Sequence, residues 1–117
     1  MYKPCRFFGF AFSASMLPEG TVRMTKRDIT VEQVRERLPS MRLCLNPSHA
    51  ATITAARNRF HLPIEIPPSP ARISLQVGDS VVVMQVGGLP RLTDRREYTK
   101  EEIDSASFSF VEITIEG

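Results

Sequence analysis

Apolar residues along the chain either run together, alternate with polar ones, or recur at helical spacing. RFFGFAFSA, residues 6–14, is apolar and aromatic throughout and predicts a buried strand. Leu17-Pro18-Glu19-Gly20 signals a turn. TVRMT, 21–25, alternates and predicts a second strand. Thr30 then suits the cap of a short helix, TVEQVRERL, in which Val31, Val34 and Leu38 share one face. Pro39 stops it. MRLCL, 41–45, alternates weakly as a third strand. LNPSHAATITAARNRF, 45–60, predicts a second helix with His49 in its first turn. Ala50, Ile53, Ala56 and Phe60 recur every three or four residues and form its buried face. Arg57 and Arg59 come late, where cations complement the helix dipole, and Pro63 marks the end.

PIEIPPSP, 63–70, holds four prolines and predicts an extended connector, because proline fixes φ and removes a donor. ARISLQV, 71–77, alternates and predicts another strand, followed by a tight turn at Gly78-Asp79. SVVVMQV, 80–86, is continuously apolar and reads as a central strand. GGLPRLTDRREY, 87–98, is a loop with three arginines. Thr99 and Glu102 form a capping box for a short helix, TKEEIDSA, and FSFVEITI, 108–115, is the last strand. Strands and helices mix without strict alternation. The expected fold is α+β, with one mixed β-sheet of about five strands flanked by helices, in a single domain over 1–117.

Composition narrows the functions. A formal net charge of +2 over 117 residues is too weak to argue for duplex nucleic acid, though it permits a local basic pocket. Cys5 and Cys44 sit in no CxxC or Cys/His cluster, so neither a disulfide framework nor a structural metal site is expected. No apolar run approaches the ~20 residues of a membrane span. The N-terminus lacks the charged start and cleavage site of a signal peptide. The expectation is a reducing, cytoplasmic setting without a membrane partner.

Three places carry candidate chemistry. A helix start exposes unpaired N–H groups and partial positive charge, which together bind phosphate. His49 there is either an exposed histidine without a task or a proton donor beside a bound anion. Ser48 is expected to cap the helix or to offer its hydroxyl to a ligand. In the glycine-rich loop, Arg91, Arg95 and Arg96 offer forked donors matched to phosphate, or are solvated surface arginines. Ser13 ends the first strand and suits hydrogen bonding better than nucleophilic attack. Carboxylates are scattered, without a pairing that suggests a two-metal or glycosidase site. Any chemistry is expected to be free of metal and cofactor.

Several motifs in order give a resemblance over nearly the whole chain: AFSASML, SHAATI, ARISLQVGDSVVVMQV, PRLTDRREYTKEEI and FSFVEITI. Together they look like the small dimeric viral proteins that act as type III anti-CRISPR ring nucleases, a family with cellular relatives. The resemblance implies a symmetric homodimer binding cyclic tetra-adenylate in a cleft across its axis. It implies metal-independent cleavage to linear di-adenylate with a 2′,3′-cyclic phosphate, which switches off type III CRISPR signalling, in the host cytoplasm if the chain is viral. The family's His-x-x-Thr motif falls on His49, the general acid, and Thr52. Its Phe-Ser-x-x-Met-Leu motif falls on Phe12, Ser13, Met16 and Leu17, with Ser13 as a ligand hydrogen-bonder. The arginine opening its alternating strand falls on Arg72, and the glutamine ending its central strand on Gln85. Its Arg-Leu pair falls on Arg91 and Leu92, with Arg91 holding the scissile phosphate and stabilising its added charge.

Two departures stand out. Many members carry Asn three residues before the motif serine, where this chain has Phe10. Members usually follow Arg-Leu with Glu-Glu-Gly, where this chain has Thr-Asp-Arg-Arg. Asp94 stands in for the glutamate with a shorter reach, and Arg95 and Arg96 add charge. The altered loop leaves a second function open: a protein that sequesters or senses cyclic oligoadenylate without cutting it. A third, an interaction protein working through a sheet edge or a nucleic-acid surface, is disfavoured by the modest charge.

Overall fold

A computed structural model describes residues 4–10, 12–70, 73–89 and 97–116. Among these, five strands form one mixed sheet: β1 (Arg6–Gly9), β2 (Arg23–Ile29), β3 (Arg42–Cys44), β4 (Ser80–Gly87) and β5 (Ser107–Glu116). Their order is β2-β5-β4-β1-β3. β1 runs parallel to both β3 and β4, while β4–β5 and β5–β2 are antiparallel. The helices are α1 (Val31–Arg37), α2 (Ala50–Phe60) and α3 (Lys100–Ser105). No helix among the described residues is long and apolar enough to cross a membrane.

β4 shows why its sequence does not alternate: Ser80 through Met84 are all buried, because both sheet faces are covered. Val82 and Met84 join Phe8, Val34, Leu38, Ile53 and Ala56 under the helices. Val81 and Val83 join Phe7, Leu75, Val111 and Ile115 on the other side. Full burial of such a side chain stabilises by about 1.5–3 kcal/mol. Helices were expected to flank the sheet. They cover one face, and the other is lined by irregular chain bearing half-buried Phe12, Met16, Leu17, Val22 and Ile73.

Three strands differ from expectation. β1 ends at Gly9 rather than 14. In one continuous strand Phe8, Phe10 and Phe12 would share a face, but Phe10 packs with the helix side and Phe12 with the opposite cluster, so the chain crosses over after Gly9. The strand expected over 71–77 is absent from its described part, 73–77. There the Leu75 N–H goes to the Met16 carbonyl at 2.7 Å and the Gln76 N–H to the Asp79 carboxylate at 2.9 Å, so no ladder forms. The alternation reported one-sided burial only, with Leu75 inside. β2 runs on to Ile29, past the expected 25, as an edge strand exposed along its length up to Ile29.

Polar anchors complete the frame. Asp79, 1% exposed, accepts the Cys5 N–H and the Gln76 N–H, each at 2.9 Å, and so ties the start of β1 to the turn before β4. Arg37 of α1 meets buried Glu112 of β5 at 3.1 Å. Thr30 and Thr99 each cap a helix, with Gln33 and Glu102 returning the bond to the cap N–H.

Candidate functional site

The site begins where β3 runs out. Leu45 is buried, and Asn46 and a 3-10 turn, Pro47–His49, follow before α2 starts at Ala50. His49 is therefore the cap residue of α2 rather than part of its first turn. Ser48 does not cap. Pro47 has no N–H to satisfy, so the first donor needing a partner is the Ser48 N–H, and the Asn46 side-chain oxygen takes it at 2.8 Å. The expected helix face holds: Ile53 and Ala56 are completely buried, with Ala50 and Phe60 half-buried. It is wider than expected, since Ala55 is buried as well.

In front of this helix start lies an open hollow of about 440 Å³. Phe12, His49, Thr52 and Gln85, four residues expected at the site, line it together. They come from three separate segments: the crossing chain after β1, the start of α2 and the far end of β4. β4 pairs with β1 only as far as Val83, opposite Gly9, so Met84, Gln85 and Val86 extend past β1 and form the hollow's wall. This is the carboxyl end of the parallel strands, the edge at which open parallel sheets take ligands. A larger hollow, about 530 Å³, lies at the opposite strand ends. Among the described residues it is lined by Pro4, Cys5, Arg6, Ser40 and Arg42, without an imidazole or carboxylate.

No family model matches the chain, and no curated protein matches it. Among solved structures it is similar to B116 of Sulfolobus turreted icosahedral virus. The TM-score is 0.70 at 19% identity, covering 94% of this chain and 98% of that one. The likeness spans both chains almost fully, so the fold is that of a small viral protein as a whole rather than of a shared fragment.

Ser13 and Ser48 are exposed and do not line the hollow. The Ser13 hydroxyl shares a hydrogen bond with that of Ser15 at 2.8 Å, and its N–H goes to Met16 Sδ at 3.3 Å. Arg72, Arg91, Asp94 and Arg95 lie outside the described residues. Phe10 is a lining residue that was noted in the sequence only as a departure from a motif. Its ring lies 6.3 Å from that of His49, at 36°. Gln85 accepts from the Ser109 hydroxyl at a long 3.4 Å, which leaves its amide available to a ligand.

Among the described residues the arrangement offers one titratable group, the exposed His49 imidazole, at the positive end of a helix. The Thr52 hydroxyl, the Gln85 amide and the Phe12 ring share the hollow with it, and the Phe10 ring lies against the imidazole itself. Such a set can bind an anion with an attached planar ring and move one proton.

Proposed function

We propose that the chain is a metal-independent ring nuclease that binds cyclic tetra-adenylate across a symmetric homodimer and cleaves it to linear di-adenylate. The observation that carries this is the single hollow in which Phe12, His49, Thr52 and Gln85 meet. These are motif positions of the resemblance, and they are separated by up to 73 residues, 85 minus 12.

In this reading a ribose 2′-oxygen attacks the adjacent phosphorus. The bond from phosphorus to the 5′-oxygen breaks, a 2′,3′-cyclic phosphate remains, and the 2′-hydroxyl proton passes to solvent. His49 gives its proton to the leaving 5′-oxygen, a role typically worth ~10²–10⁴-fold. Arg91 holds the scissile phosphate, and Asp94 stands in for the family's glutamate. Thr52 and Gln85 bind the part of the ligand inside the hollow, and the sequence assigns Ser13, Ser48, Arg72 and Arg95 to the part of the ring outside it.

Size supports the pairing. About 440 Å³ is near the small end of ligand sites, roughly 300–1,000 Å³, and suits one nucleotide better than a ring of four. Two hollows related by a two-fold axis would receive opposite phosphates of a symmetric ring. Two cuts at opposite linkages then give two di-adenylates. Destroying this messenger would switch off type III CRISPR signalling in the host cytoplasm.

Labelled cyclic tetra-adenylate, incubated with excess protein and EDTA, tests the reading. The expected product is di-adenylate with a cyclic phosphate. His49→Ala is expected to bind the ring and leave it intact. An uncut ring after prolonged incubation with the unmodified protein would reject the enzyme and leave sequestration, the function that the altered loop after Arg91 keeps open.

A further inference from the structure

Aromatic rings form a connected row from the far end of α2 to His49. The Arg59 guanidinium lies 5.2 Å from the Phe108 ring and 5.4 Å from that of Phe60. Phe60 meets Phe108 and Phe110 edge-on, at 5.2 and 5.9 Å. Phe110 meets Phe8 at 6.4 Å, Phe8 meets Phe10 edge-on at 6.0 Å, and Phe10 meets His49 at 6.3 Å. The middle of the row is buried: Phe8 is completely inside and Phe110 is 4% exposed. Phe10 is half-buried and held at one edge by Phe8.

The imidazole at the end of the row makes no capping bond to its own helix, and His49 is exposed. An exposed side chain otherwise hops among staggered rotamers. The tilted contact with Phe10 is the one ring contact that restrains it among the described residues. We infer that Phe10 is a positioning residue for His49. Its ring favours the rotamer that keeps the imidazole over the hollow, and the buried Phe8–Phe110 pair holds Phe10 in turn. The inference rests on the ring-nuclease reading for what His49 does, but not for where its ring is held. Asn at this position would present an amide in place of a ring face.

Two measurements on the full chain separate these claims. The first uses no ligand. NMR of the unmodified protein is expected to show contacts between Phe10 ring protons and the His49 imidazole. Phe10→Leu is expected to shift the His49 imidazole signals and leave those of His61, at the other end of α2, in place. Absent contacts, or an unmoved His49 signal, would overturn the inference whatever the enzyme does.

The second uses labelled cyclic tetra-adenylate in single turnover. Displacing a catalytic group by about 1 Å costs up to ~10²-fold. Phe10→Leu is expected to cut about 10-fold more slowly with affinity within about twofold, and Phe10→Tyr, which keeps the ring, to cut at close to the original rate. Equal rates in Phe10→Leu would overturn the inference. So would a parallel loss of binding, which would make Phe10 a ligand contact. If the unmodified protein cuts nothing, the function reading fails and the first measurement still decides.

Discussion

Replacing Gly9 by alanine tests how tightly the frame of the site is drawn. A Cβ at this position would fall 2.8 Å from the Cys44 carbonyl oxygen. Ordinary carbon–oxygen contacts start at about 3.3 Å, so the β1–β3 pair must open by about half an ångström. The obstructing atom is backbone and cannot rotate away. Gly9–Cys44 is also the last pair of a three-residue edge strand. Overpacking of this kind costs about 1–3 kcal/mol. The loss of glycine's freedom in the unfolded chain returns about 0.4–1 kcal/mol, leaving a net cost of about 1–2 kcal/mol.

Gly87→Ala is the internal control. It also lies in a strand, and a Cβ there meets nothing within 4 Å, so it should be neutral or slightly stabilising. Urea unfolding of both variants gives the comparison, with slopes of about 1–3 kcal/mol/M converting midpoints to energies. Gly9→Ala within about 0.5 kcal/mol of Gly87→Ala would refute the close approach. A second readout follows from the chain path, because β3 leads through Leu45 directly to Asn46. Amide signals of Leu45, Asn46, Ser48 and His49 should move in Gly9→Ala and stay in Gly87→Ala.

Ile53→Ala removes a completely buried side chain from α2 and should cost about 2–5 kcal/mol in the same urea assay. A cost below about 1 kcal/mol would mean that α2 does not pack as described. Asp79→Asn replaces one of two accepting oxygens, each 2.9 Å from a backbone N–H, with a donor. A loss of about 1–3 kcal/mol is expected, and an unchanged midpoint would show that the anchor is dispensable. Burial pushes the Cys44 thiol up from its ordinary value, so the folded chain holds that proton more tightly than the unfolded one. Its contribution is full below the ordinary thiol range and is lost as pH rises through the raised value. Cys44→Ala should therefore flatten the alkaline limb of a pH–stability curve, and an unchanged limb would count against the burial. Finally, under the proposed ring-nuclease function, mixed dimers of the unmodified chain with an excess of His49→Ala would carry one acid each and should accumulate linear tetra-adenylate. Direct conversion to di-adenylate by such dimers would refute one acid per linkage.

Elements with one buried face were legible in the sequence, because their pattern and burial have the same period. α1 and α2 read from Val34, Leu38, Ile53 and Ala56, and β4 read from its unbroken apolar run. The end of β2 was not legible, since Lys26, Arg27 and Asp28 are exposed and carry no period. β1 was read too long because RFFGFAF stays apolar while the chain changes face between Phe10 and Phe12, and composition does not record a crossing. Residues 73–77 alternate without a ladder, since their N–H groups find Met16 and Asp79, partners remote or polar in a way no local pattern marks. At the site, His49 was legible from its place at a helix start, while Thr52 came with the motif of the resemblance. Phe12 and Gln85 came from the ordered resemblance alone. Phe10 was visible only as a misfit, although it supplies part of the wall.

The two ends of α2 are built differently, and the difference bears on His49. At the rear, Arg35 sends Nε and Nη2 to the Phe60 carbonyl at 3.1 and 2.7 Å, which satisfies a group the helix leaves orphaned. His61 turns left-handed at φ 54° to end the helix, and Arg59 reaches across to the Ile103 and Ala106 carbonyls that end α3. At the front, the cap position holds a histidine whose side chain makes no cap bond. Ser, Thr, Asp or Asn there would typically add about 0.5–2 kcal/mol by satisfying a backbone donor, and residues of that kind serve at Thr30 and Thr99 in the same chain. A fold that caps its two shorter helices in full and leaves its longest one without a side-chain cap at His49 forgoes stability at one position. Local rules are broken in this way chiefly where a site needs its groups for something else. With the rear of α2 pinned and its core face buried, the front is satisfied from Asn46 and Pro47, and the His49 imidazole is left exposed at the hollow rather than spent on a cap.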